Sequence, residues 1–151
     1  MNNINNKLNI MKTKVIYPGS FNPIHIGHQQ VINIAKSMFD EVYVVIAQNP
    51  DKPTIDNIHD RIHKIKEIYN DEIHIICSDK MTGRLAKEMD AYIIKGVRNA
   101  IDFQNELDQA SFNRNYFGVE TILVPSEPQS SYISSSLIRE LKKYRELNND
   151  N

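Results

Sequence analysis

The chain has 151 residues, 40% of them hydrophobic and 25% charged, which suits a single core of ordinary composition. A net charge of −1 provides no basic field for non-specific nucleic-acid binding, and no apolar run reaches membrane-spanning length or forms the core of a secretory signal. One cysteine, Cys77, cannot make an intramolecular disulfide; in the run Ile75-Ile76-Cys77 it reads as a buried small hydrophobe in a reducing compartment.

Residues 1–10 are asparagine-rich and read as a disordered extension, ahead of a domain spanning 11–147 and a frayed polar tail at 148–151. The first strand is Val15-Ile16-Tyr17, ended by Pro18-Gly19; after a second turn at Asn22-Pro23, helical spacing places Ile26, Val31, Ile34 or Ala35, and Met38 on one face. The segment 17–28 is therefore strand, tight loop and helix, and in an open α/β sheet such a loop lies at the strand ends where ligands bind. Its chemistry suits a phosphate: Gly19 allows close backbone approach, Ser20 adds a hydroxyl, and Gly27 and His28 fall in the first helical turn, where N–H groups and the helix dipole favour an anion. The plain alternative is a strand–helix turn with an incidental histidine.

A second buried strand occupies 42–47, followed by a loop carrying Lys52 between Pro50 and Pro53. Asp56 or Asn57 caps a helix with the stripe Ile58, Ile62, Ile65 and Ile68 or Tyr69. A short strand at 73–76, a helix from Ser78-Asp79 to about Met89 and a strand at 91–94 follow. The next loop, Lys95-Gly96-Val97-Arg98, leads a long helix over about 101–116, then a strand at 119–124. A Ser/Pro/Gln-rich loop over 125–132 precedes a terminal helix over 134–147 with Leu137 or Ile138, Leu141 and Tyr144 apolar. Five strands alternate with five helices, the pattern of a single Rossmann-like, doubly wound domain: a five-stranded parallel sheet flanked by helices.

The same edge then gathers cations. Lys52, Lys95 and Arg98 all follow strand ends, and Arg98 offers a donor fork matched to phosphate oxygens. Surface lysines and arginines are otherwise simply solvated. Ser134, Ser135 and Ser136 cap the last helix and also provide hydroxyls and N–H groups at its N-terminus. His59 and His63 sit in His-Asp-Arg-Ile-His, a near miss to a zinc-protease helix with Asp60 where glutamate is needed; a solvated helix face is the reading, with no metal site. Tyr92, Tyr116 and Phe117 read as core or interface residues.

His25-Ile26-Gly27-His28 after Gly19-Ser20-Phe21-Asn22-Pro23 resembles the HxGH signature of the nucleotidyltransferase superfamily, and Ile133-Ser134-Ser135-Ser136 resembles its second, ISSS. The chain is too short for an aminoacyl-tRNA synthetase of that superfamily. Lys95-Gly96-Val97-Arg98, Asp102-Phe103, Glu106 and Asn113-Arg114 are similar to the RGLR and DFE block of phosphopantetheine adenylyltransferases, and Ser78-Asp79-Lys80-Met81 resembles their SDLM segment. The resemblance spans about residues 11–141. It implies a cytoplasmic, hexameric enzyme of coenzyme A biosynthesis that adenylates 4'-phosphopantetheine with ATP and Mg²⁺, without nucleic-acid or membrane partners. It further implies that Ser20 and Phe21 contact both substrates, that His28 stabilises the transition state, that Lys52 and Lys95 hold the acceptor phosphate and that Met81 meets the pantetheine arm. Gly96, Val97, Arg98 and Glu106, with Ser130, Ser131, Tyr132, Ile133, Ser134, Ser135 and Ser136, would bind ATP. The departures are Asn22 for the usual aspartate, Lys95 for the usual arginine, and a lysine loop one residue short. Two further readings stand beside this one: a nicotinate or nicotinamide mononucleotide adenylyltransferase, and a nucleotide-binding module without turnover.

Overall fold

The apolar runs that end at Pro18, Ala47 and Val97 become neighbouring strands because each is apolar on both faces, which only a sheet covered on both sides can satisfy. In the computed structural model, which describes residues 12–48, 57–126 and 135–149, the elements are β1 (Lys14–Gly19), α1 (Ile26–Met38), β2 (Glu41–Ala47), α2 (Ile58–Tyr69) and β3 (His74–Ser78), followed by α3 (Thr82–Met89), β4 (Tyr92–Val97), α4 (Ala100–Phe117), β5 (Thr121–Pro125) and α5 (Ser135–Asn149). The expected extension over 1–10 lies outside the described residues.

All pairings are parallel, in the order β3-β2-β1-β4-β5. The winding reverses between β1 and β4, which makes that junction the switch point at which α/β sheets open a ligand crevice. Strand alternation divides the core in two. Val15, Val44, Ile46 and Ile94 pack on one face under Val31, Ile32 and Ala35 of α1 and Ile65 and Tyr69 of α2. Ile16, Val45 and Ile93 pack on the other against Leu85 and Ala86 of α3. Each fully buried Val or Ile contributes about 1.5–3 kcal/mol.

The β1–β2 ladder runs from Lys14↔Glu41 to Gly19↔Ile46, whereas β1 meets β4 only at Val15↔Tyr92 and Ile16↔Ile93. Beyond those rungs come Tyr17 and Pro18, and proline has no N–H to offer a ladder. The two central strands thus continue side by side without pairing, toward the edge where their loops begin.

Several expected core positions lie outside the core. Ile26, Met38 and Ile68 are exposed. The buried stripe of α1 is instead Gly27, Val31, Ile32 and Ala35, and that of α2 is Arg61, Ile65 and Tyr69. Cys77 is exposed, not buried, because β3 is the edge strand and its end is flanked by β2 alone. Tyr92 and Tyr116 are exposed as well, which removes the core reading for both; their rings meet Phe39 and Phe112 at 5.6 and 5.3 Å. The α5 residues Leu137, Ile138, Leu141 and Tyr144 do line one helix stripe, and all are exposed. No helix among the described residues is long and apolar enough to cross a membrane.

Candidate active site

The β1–α1 turn is built on Phe21. Its φ of 49° lies in the left-handed region, a strained conformation for a residue with a side chain. The ring is fully buried, edge-on to Tyr17 at 5.1 Å and 4.7 Å from the His28 ring. A Cβ on Gly19 would stand 3.1 Å from that ring, so the close approach at this point favours glycine. Ser20 is left exposed beside the turn, and its carbonyl accepts a 2.8 Å hydrogen bond from Arg61 Nη1 of α2.

Two histidines then cap α1 reciprocally. His25 Nδ1 accepts from the N–H groups of Gly27 and His28 at 3.1 and 3.4 Å, while His28 Nδ1 accepts from the His25 N–H at 3.1 Å. This is a capping box made from imidazoles, with the rings stacked 3.6 Å apart. It corrects the expectation that the Gly27 and His28 N–H groups await an anion: both are given to His25. With Nδ1 of each ring acting as acceptor, the neutral rings carry their proton on Nε2. His28 is held neutral as well. Burial lowers its pKa from 6.5 to about 4, reinforced by His25, Lys95 and Arg98 nearby. The ring therefore presents an uncharged Nε2–H donor.

Where β1 and β4 part, a cleft of about 210 Å³ opens, walled by Gly19, His28, Lys95, Gly96, Arg98 and Glu106 among others. A Cβ on Gly96 would meet Ser126 Oγ at 2.8 Å and Val31 Cγ2 at 2.9 Å, so this wall is as close as backbone permits. A second cavity of about 180 Å³ shares Gly19, Lys95 and Glu106 with the first and adds Ser20 and Asn113. A third, about 410 Å³, shares Asn113 with the second and is lined by Met81 and Phe112. The three form a row, with polar groups at one end and exposed apolar side chains at the other.

Among the described residues, the cleft cations Lys95 and Arg98 are each held by an acid on α4. Lys95 Nζ lies 3.4 Å from Glu106 Oε1 and from the Pro18 carbonyl, and Arg98 Nε lies 2.9 Å from Asp102 Oδ2. These charge-assisted pairs fix where the two cations sit in the cleft wall. Tyr17, also in the cleft wall, is held protonated by burial and next by the Glu106 charge.

Of the residues expected from sequence, Ser20, His28, Lys95, Gly96, Arg98 and Glu106 line the two inner cavities, and Met81 the outer one. The Phe21 ring is buried, so a contact from Phe21 to a ligand would come from its backbone. Val97 is half-buried at the end of β4. Ser136 is exposed, its Oγ accepting from Arg139 Nη2 at 3.4 Å. Lys52, Ser130, Ser131, Tyr132, Ile133 and Ser134 lie outside the described residues, as does the side chain of Ser135. His63 pairs with Glu67 at 2.9 Å on an exposed face of α2. Sequence reasoning named Asp102 only within the resembling block and missed its pairing with Arg98, along with Arg61 and the capping role of His25. Asp102 follows Arg98 at the i,i+4 spacing that pairs charges, a signal that was present. Arg61 was hidden inside the motif read as a solvated face.

A family model described as cytidylyltransferase-like matches residues 16–141. A phosphopantetheine adenylyltransferase of Kocuria rhizophila is 36% identical over 132 residues, covering 85% of each chain. One from Bacteroides fragilis is 37% identical over 134 residues, covering 87% of this chain and 89% of its own. Among solved structures, the lipopolysaccharide core biosynthesis protein from Thermoplasma volcanium GSS1 aligns with a TM-score of 0.56 at 22% identity, over 78% of this chain and 98% of that one. That likeness concerns the fold.

Proposed function

The chain belongs to the phosphopantetheine adenylyltransferases of the cytidylyltransferase-like family, and from that premise we propose that it transfers the adenylyl group of ATP to 4'-phosphopantetheine. The products are 3'-dephospho-coenzyme A and pyrophosphate, a step of coenzyme A biosynthesis in the cytoplasm. One observation carries the assignment of residues: His28, Lys95, Arg98 and Ser20 converge on adjoining cavities at the β1–β4 switch point.

The acceptor is already a phosphate and needs no general base. Its oxygen displaces pyrophosphate in line at the α-phosphorus, so the protein's work is positioning and stabilisation of charge on the non-bridging oxygens. His28 Nε2–H donates to those oxygens, a donor fixed in place before the reaction begins. Arg98, Gly96, Val97 and Glu106 form the ATP side with Ser130, Ser131, Tyr132, Ile133, Ser134, Ser135 and Ser136. Lys95 and Lys52 grip the acceptor phosphate, Ser20 and the Phe21 backbone sit between the substrates, and Met81 with Phe112 takes the pantetheine arm in the outer cavity.

Magnesium would be held through ATP, and the chemistry it would supply is neutralisation of phosphate charge. The cleft carboxylates Asp102 and Glu106 are both engaged by cations, and no group of three or more acidic, histidine or cysteine ligands occurs among the described residues. That donor set suits an ion carried by phosphate oxygens and water, whose part is to neutralise the triphosphate.

The working form is a homohexamer. In support, α4 buries none of its 18 residues in this chain, yet Ile101, Phe103, Leu107, Phe112 and Tyr116 on it are all exposed. A helix apolar on opposite sides is one that expects partners. The test of function is pyrophosphate release from ATP with 4'-phosphopantetheine. Release only with nicotinate or nicotinamide mononucleotide would overturn the acceptor, and ATP binding without release on any acceptor would overturn the enzyme.

A further inference from the structure

Arg61 is the one charged side chain buried among the described residues, with 7% of its surface exposed. It occupies the core stripe of α2 together with Ile65 and Tyr69, where a cation is costly unless its donors are used. Its Nη1 donates to the Ser20 carbonyl across 41 residues of sequence, at 2.8 Å. We propose that Arg61 is a positioning residue for the adenylyl-transfer site: its guanidinium fixes the Ser20–Phe21 peptide, and with it the donors of the β1–α1 loop.

The peptide unit is planar and trans, so holding the Ser20 carbonyl toward α2 also sets the direction of the Phe21 N–H, which points oppositely. Ser20 lines the cavity shared with Lys95, and Phe21 sits at a positive φ beneath His28. A turn strained at Phe21 relaxes if its neighbouring carbonyl is released. Relaxation would shift Ser20 and the ring that supports His28 while leaving every group of the cleft wall chemically intact. Lysine cannot replace the fork, since its ammonium is a point charge on a flexible stem.

The inference rests on the proposed transfer reaction, and the experiment separates the two. Wild type, Arg61→Ala and Arg61→Lys are compared for turnover of ATP with 4'-phosphopantetheine, for ATP affinity by calorimetry, and for thermal melting. Inactivity of the wild type with this acceptor counts against the reaction alone, and the ATP affinities then read Arg61. The expected result is a kcat at least about tenfold lower in both variants together with a smaller, severalfold loss of ATP affinity, as misalignment of the β1–α1 donors predicts. Added guanidinium at non-denaturing concentration restores part of the Arg61→Ala rate or ATP affinity, whereas an alkylammonium of the same concentration does not. Should Arg61→Ala not fold, Arg61→Lys carries the kinetic comparison. Variants that keep wild-type kcat and ATP affinity, or losses that follow the unfolded fraction and do not respond to guanidinium, overturn the proposal.

Discussion

In the proposed transfer His28 acts as a neutral donor. The ring accepts a backbone N–H at Nδ1, which leaves Nε2–H as the group that faces the cleft. Replacing it by alanine is expected to lower kcat by about 10²–10³-fold, the usual cost of losing one preorganised donor, with a much smaller rise in KM. Steady-state kinetics on His28→Ala checks this, and undiminished turnover contradicts it. The same residue gives a pH signature in stability. Its pKa falls from 6.5 to about 4 on folding, so between those values the unfolded chain takes up a proton that the folded chain refuses. The His28 contribution is complete above about pH 6.5 and is lost progressively as pH falls to about 4. Denaturant midpoints measured across that range should decline less steeply for His28→Asn than for the wild type.

At the scale of elements, the contact between α3 and α4 turns on Gly83. A Cβ there would lie 2.5 Å from both Asn113 Oδ1 and Phe117 Cδ2. Alanine would gain about 0.5–1 kcal/mol of helix propensity, but overpacking costs about 1–3 kcal/mol, so the clash decides the sign. Gly83→Ala is expected to lower the melting temperature by about 2–4 °C for each kcal/mol of net loss. A raised melting temperature would show that α4 moves aside freely. Elements of this kind were largely legible in the sequence. Val42 to Ala47 and Ile93-Ile94 are β-rich runs bounded by turn residues, and a strand end followed by glycine and cations is read at once as a ligand edge. What stayed hidden was tertiary. Nothing local distinguishes Arg61 from its neighbours on α2, since its burial depends on the Ser20 carbonyl arriving from β1. Nor does local pattern reveal that His25 consumes the donors of α1, because histidine is seldom the residue that caps. The apolar residues of α4 follow no single stripe, so periodicity could not say which side they face.

For the whole molecule, that same helix sets the expectation about assembly. At about 100° per residue, Ile101, Phe112 and Tyr116 share one side of α4 while Phe103 and Leu107 lie on another. In an isolated chain, charging the exposed Ile101 and Tyr116 should change stability by less than about 0.5 kcal/mol. In a hexamer it should separate subunits. Sedimentation of Ile101→Glu/Tyr116→Glu is expected to show a smaller species than the wild type, and an unchanged mass would move the interface elsewhere. The junction of β1 with β4 bears on the polypeptide as a unit too. With two rungs only between these strands, a cut near Asp79–Lys80 would interrupt no strand or helix and would leave β1 to β3 on one fragment and β4 and β5 on the other. Recombined, they would rebuild the crevice from both sides. The chain thereby lends itself to a split reporter, in which recovered pyrophosphate production signals that two tethered baits have met.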